Sequence, residues 1–228
     1  MLRERLRAEE LMDDPALDAG TYHKVLHDLA KVNRTTFAYR PTLDFLSRAL
    51  GPRKSFRLLD VGFGDGDMLR QIAGWARRHR IAADLTGIDL NTRSVAAAQA
   101  ATANELPIRY LAGDYADLAG QGFDFIVSSL VAHHMTHEQL IAFLRFMERE
   151  ARVGWFVNDL HRHGFAYATF PLLANLMGWH RIVRLDGATS IARSYRPGEW
   201  PAMLTEAGIE GARVRRRFPF RLCVEKIR

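Results

Sequence analysis

Hydrophobic and polar positions change rhythm twice along the chain, and the two changes divide it into three parts. Before Arg57 the apolar positions fall three or four apart. Val25, Leu26, Leu29 and Val32 predict a helix over residues 21–38, and Leu43, Phe45, Leu46 and Leu50 a second, opened by Pro41 and closed by Gly51-Pro52. Residues 1–19 are charged and turn-like, with little helical signal. From Arg57 onwards, short apolar runs alternate with amphipathic stretches. This predicts strands at 57–61, 84–88, 108–112, 123–128 and 153–158, and helices at 66–78, 92–103 and 137–151. After Asp159 the alternation ends. An apolar helix, Phe165 to Met177, is followed by a polar, Gly-containing stretch from Leu185 to Ser194. A short helix at 197–207 then leads to two strands, 210–217 and 220–227, split by Pro219 and suited to antiparallel pairing.

Alternating strands and helices build a parallel sheet covered on both faces. At 228 residues the chain makes one sizeable α/β domain. Its 48% hydrophobic and 25% charged residues are ordinary for a soluble globular protein. No run of eighteen apolar residues occurs, so no membrane span or membrane partner is expected. Residues 1–7 are charged and lack an apolar stretch, so a secretory signal is not expected. The single cysteine, Cys223, excludes an internal disulfide and a Cys-cluster zinc site, and the expected compartment is the cytoplasm.

The net charge of +6 comes from arginine. Arg77, Arg78 and Arg80 close a predicted helix, where cations complement the dipole. Arg213, Arg215 and Arg217 alternate as one side of a strand would. With no nucleic-acid module beside them, a nucleic-acid partner is not expected.

The chemistry begins at Leu58-Leu59-Asp60-Val61-Gly62-Phe63-Gly64-Asp65-Gly66-Asp67. An apolar run ends in an acid and turns through three alternate glycines into a helix, so bare backbone meets a ligand. A P-loop requires Gly-Lys-Ser/Thr, which Gly66-Asp67-Met68 lacks. The dinucleotide fingerprint fails at its last glycine, where Asp67 stands. Asp60, Asp65 and Asp67 would oppose a pyrophosphate and favour a cationic, phosphate-free cofactor.

Asp60 to Gly66 resembles the first motif of the class I S-adenosylmethionine-dependent methyltransferases. Gly87-Ile88-Asp89-Leu90-Asn91 resembles their second, Ala112-Gly113-Asp114-Tyr115 the third, and Phe123 to Ser129 the fourth. Asp89 lies 27 residues after Gly62, a spacing suited to gripping both ribose hydroxyls. The resemblance covers residues 55–158 and implies S-adenosyl-L-methionine as cofactor. The residues it brings to that cofactor are Asp60, Gly62, Gly64, Gly66, Asp89, Leu90, Asp114, Tyr115 and Ser129. It implies an α/β fold with a Rossmann-like, seven-stranded, mostly parallel sheet, an antiparallel strand near the C-terminus and helices on both faces. Residues 1–228 form a single methyltransferase domain in this reading. Residues 1–52 are a helical cap and 160–195 an inserted helical lid.

Methyl transfer needs an aligned acceptor and, for a phenol, a base; histidine suits neutral pH. His133 and His134 follow the fourth motif, and loop position favours His134. Asn158-Asp159-Leu160-His161-Arg162-His163 follows the fifth strand, giving Asp159 and His161 as residues that orient the base or bind substrate hydroxyls. The acids near these loops do not form the compact set a hard cation requires, so no metal is expected. Phe165, Tyr167, Phe170, Leu172, Leu173, Leu176, Met177 and Trp179 offer an apolar surface for a small aromatic acceptor.

This part of the chain resembles bacterial natural-product and quinone-pathway small-molecule methyltransferases. The expected reaction is O-methylation of a phenolic or polyketide-derived compound, with a histidine base. C-methylation of an aromatic ring or quinone precursor, and an inactive methyltransferase-like binding protein, are the alternatives. A homodimer is compatible with the composition.

Overall fold

The computed structural model describes residues 2–228. Two helices come first, α1 (Ala19–Thr35) and α2 (Arg40–Ala49). There follow β1 (Ser55–Val61), α3 (Asp67–Arg78), β2 (Ala82–Asp89), α4 (Thr92–Ala101), β3 (Ile108–Ala112) and β4 (Phe125–Ser129). Next come α5 (His137–Glu150), β5 (Gly154–Leu160), α6 (Gly164–Leu176), α7 (Arg181–Arg193) and α8 (Trp200–Glu206). The chain closes with β6 (Arg213–Arg217) and β7 (Arg221–Ile227).

The sheet has seven strands in the order β3-β2-β1-β4-β5-β7-β6. Strands β1 to β5 are parallel, and β7 inserts antiparallel between β5 and β6. This is the Rossmann-like mixed sheet that the sequence predicts. Central strands are buried on both sides, which is why they read as unbroken apolar runs. Side chains alternate between two cores. Leu59, Ile126, Trp155 and Val157 face α5 and α8, whereas Leu58, Phe125, Val127 and Phe156 face α2 and α3.

Two regions differ from the sequence reading. The polar stretch before Ser194 belongs to the thirteen-residue helix α7. Its polar residues meet protein: Asp186 accepts the backbone N–H groups of Leu11 and Met12 at 2.9 Å each. Helical periodicity misses such an element because its buried face is polar. The turn-like N-terminus is likewise tied down, with Leu6 N donating to Ala192 O at 3.1 Å. Gly187 permits a close α6–α7 approach, since a Cβ there would lie 1.9 Å from Phe170 Cε1.

The strand order reverses between β1 and β4. A ligand crevice is expected outside the carboxyl ends of those strands. The cavity lies there.

Candidate active site

A cavity of about 490 Å³ opens at the carboxyl ends of β1, β2 and β4. Its floor is the loop after β1, where Gly62 and Gly64 adopt φ of 76° and 58°. These angles favour glycine, and at Gly62 a Cβ would also strike Val131 Cγ2 at 2.3 Å. Leu130, which lines the same floor, holds a φ of 63° without that freedom. Strained backbone of this kind persists where a site demands it.

Two charged side chains on the wall are buried without full partners. Asp60 is 1% exposed, and its Oδ1 has no hydrogen-bond partner. Burial, with Asp67 and Asp89 nearby, pushes its pKa well above the usual carboxylate range. Arg221 on β7 is 2% exposed. Its Nη2 reaches Asn33 Oδ1 at 3.4 Å, and its Nη1 has no partner. Burial lowers its pKa. Buried charges without partners are costly unless a ligand completes them.

The other acids of the turn are already engaged. Asp65 pairs with Arg70 at 2.9 Å. Asp67 accepts Tyr39 Oη at 2.8 Å and Asn33 Nδ2 at 2.9 Å, tying α1 and α2 to the turn. Asp89 accepts Gly64 N at 2.9 Å and Asn91 N at 2.8 Å, with the Ser94 side chain as a further partner. Of the three acids of the turn, Asp60 is the one with a buried oxygen that has no partner.

Of the residues expected at the cofactor, Asp60, Gly62, Gly64, Asp89, Leu90, Tyr115 and Ser129 line the cavity. Gly66 and Asp114 do not. Gly66 faces Tyr110, whose Oη would lie 2.5 Å from a Cβ there. Asp114 turns away to accept Ala116 N at 2.9 Å.

The histidines also divide. His133 and His134 line the cavity, whereas His161 and Asp159 do not. His161 stands outside beside His163, their ring centroids 5.4 Å apart. Asp159 lies beneath His133: its Oδ1 is 2.7 Å from His133 Nδ1, and its Oδ2 accepts His133 N at 2.9 Å. The acid expected to orient a base thus holds His133 and not His134. His133 is 2% exposed. Burial opposes its charge, yet Asp159 and Glu10 outweigh burial and raise its pKa to about 9. His134 is more open and places Nδ1 3.1 Å from Asp13 Oδ2.

The sequence reading passed over Glu10 and Arg221. Glu10 sits in an irregular segment, and nothing in the sequence near it signals a site. Arg221 has the apolar strand context Leu222-Cys223-Val224, in which an arginine is the one exception. The aromatic insertion contributes less to the cavity than its composition suggests. Phe170 lines it, but Leu172 and Leu176 are 72% and 83% exposed.

The sheet order, the cavity at the strand reversal and the glycine turn are those of a class I methyltransferase. Residues 58–154 match the family model described as methyltransferase domain. Residues 58–154 thus carry a methyltransferase domain, and the protein is an enzyme of that kind. No curated protein sequence matches it.

Among solved structures it is similar to the plantazolicin methyltransferase BpumL in complex with SAH, at 16% identity and a TM-score of 0.67 over 95% of this chain and 92% of that one. It is also similar to human N-acetylserotonin methyltransferase in complex with SAM, at 13% and 0.65 over 92% and 56%. A third is the CMeT domain of the citrinin polyketide synthase, at 13% and 0.55 over 77% and 48%. At these identities the likeness is one of fold.

Proposed function

We propose that the protein transfers a methyl group from S-adenosylmethionine to the hydroxyl of a small phenolic or polyketide-derived molecule, with His133 as general base. The observation that carries this reading is the His133–Asp159 pair, joined at 2.7 Å, whose imidazole lines the cavity with the carboxylate beneath it.

The cavity suits the cofactor end to end. Asp60 and Arg221 present an unpartnered carboxylate oxygen and an unpartnered guanidinium nitrogen to an α-amino-acid moiety. Asp89 faces the ribose, Gly113 and Tyr115 flank the adenine, and Gly62 and Gly64 give bare backbone between them. When bound, S-adenosylmethionine supplies a methyl group on a sulfonium, open to in-line displacement.

The chain's own work is alignment and proton removal. His133 Nδ1 is held by Asp159, and Nε2, which faces Glu10 Oε1 at 3.5 Å, takes the acceptor's proton once the acceptor oxygen displaces that carboxylate. A free histidine, near 6.5, would remove a phenolic proton of pKa about 10 at a cost of about 5 kcal/mol. At about 9, His133 lowers the transfer itself to about 1.4 kcal/mol, and reaching the neutral imidazole from the charged form at neutral pH costs about 2.7 kcal/mol, so the base works best as pH approaches 9. Glu10 Oε1 stands 3.5 Å from Nε2 and marks where an acidic oxygen fits. The N-terminal segment, α1, α6 and α7 close this side as cap and lid, with Met12, Val25, Phe170 and Ile191 on the inner surface.

A panel of phenols tests the reading. Turnover with wild type, lost in His133→Ala while cofactor affinity holds, is the expected result. Equal turnover in the two proteins would remove His133 as base. A methyl found on ring carbon with the phenol still free would replace O-methylation by C-methylation.

A further inference from the structure

Glu10, His133 and His134 each offer a ligand atom within 4.8 Å of the others, on the acceptor side of the cavity. We propose that they form a site for a zinc-class divalent cation. His133 Nε2 lies 3.5 Å from Glu10 Oε1, and His134 Nε2 lies 3.8 Å from Glu10 Oε2. Bonds of about 2.1 Å in a tetrahedral zinc site put neighbouring ligand atoms about 3.4 Å apart. The two Glu10 contacts lie within a few tenths of an ångström of that spacing, and the whole set lies within 4.8 Å, so side-chain adjustment closes it around an ion.

The outer groups point the same way. Both imidazoles have their Nδ1 held by a carboxylate, His133 by Asp159 at 2.7 Å and His134 by Asp13 at 3.1 Å. That arrangement fixes the tautomer that turns Nε2 to a metal, as in carboxylate–histidine–zinc triads. Two imidazoles and one carboxylate select zinc, or cobalt as its stand-in, over magnesium or calcium. The opposing charges are Arg193, whose Nη1 is 3.8 Å from Glu10 Oε1, and Arg5, whose Nη2 donates to His133 O at 2.7 Å. Ser190 Oγ donates to the same oxygen at 2.8 Å, so Oε2 is the freer one. Glu10, Asp13 and Asp159 together outnumber Arg5 and Arg193.

The ion takes the Nε2 that the proposed reaction uses as base, so occupancy and turnover exclude each other. This consequence rests on the function proposed above; the site itself does not.

The test is a cobalt titration of the full, untagged chain without cofactor, followed by visible absorption. The expected result is one equivalent bound with the intense bands of four-coordinate cobalt. Glu10→Gln and His134→Ala should each raise the dissociation constant at least tenfold. Binding unchanged in both variants, or only the weak bands of six-coordinate cobalt, would overturn the proposal. Zinc should inhibit wild-type turnover and a chelator restore it, with at least tenfold more zinc needed for Glu10→Gln. Four-coordinate cobalt without inhibition by zinc would uphold the site and discard His133 as base.

Discussion

Asp159 and His133 bond twice, ring nitrogen to Oδ1 at 2.7 Å and backbone nitrogen to Oδ2 at 2.9 Å, so one carboxylate fixes both the loop and the imidazole. A base held at backbone and side chain has a single orientation. That is the preorganisation methyl transfer asks of a protein.

Replacing each histidine separates the two candidates. His133→Ala should lower kcat between a hundredfold and ten-thousandfold, the usual range for a general base, with S-adenosylmethionine affinity changed little. His134→Ala should cost under tenfold. Single-turnover kinetics beside calorimetric cofactor binding check both, and the reverse ranking would return the base to His134.

The pH profile follows from the same pair. The folded pKa of His133 stands above its ordinary 6.5, at about 9, so the imidazole is mostly charged at neutral pH. In the presence of a chelator, kcat/KM should climb with pH until the imidazole loses its proton near 9. Asp159→Asn removes the carboxylate that raises this pKa, so the inflection should move to lower pH. Stability runs the other way. The contribution of the charged imidazole is complete below about 6.5 and is lost as pH rises through about 9, so the melting temperature should fall over that interval.

Arg221 is assigned to the amino-acid end of the cofactor. Arg221→Met should weaken S-adenosylhomocysteine at least tenfold. It should leave 5′-methylthioadenosine, which has no amino-acid moiety, unchanged. An equal loss for both ligands would mean that Arg221 only supports the fold.

Asp89→Ala should weaken cofactor binding by at least about a hundredfold, since two hydrogen bonds to a charged group are worth about 3 kcal/mol or more. Circular dichroism should show the fold intact. Unchanged affinity would remove Asp89 from the ribose site.

The sheet was legible because its strands are buried on both faces and its helices on one, so period and apolarity mark each element. The glycine turn was legible because positive φ and close approach leave few residues to choose from. Helix α7 was not, since it buries Asp186, Ser190 and Arg193 against other polar groups. Glu10 was not, since its importance comes from His133, 123 positions away. Charge around the turn misled in part: Arg70, Tyr39 and Asn33 satisfy Asp65 and Asp67, and only their placement in the fold shows it.

The measurement closest to the central claim follows an isotopically labelled methyl group from S-adenosylmethionine in the presence of phenolic acceptors, with product mass and S-adenosylhomocysteine quantified together. The predicted result is label on the acceptor oxygen, one equivalent for each S-adenosylhomocysteine released, with both lost in His133→Ala. Tight cofactor binding with no label transferred to any acceptor would contradict it.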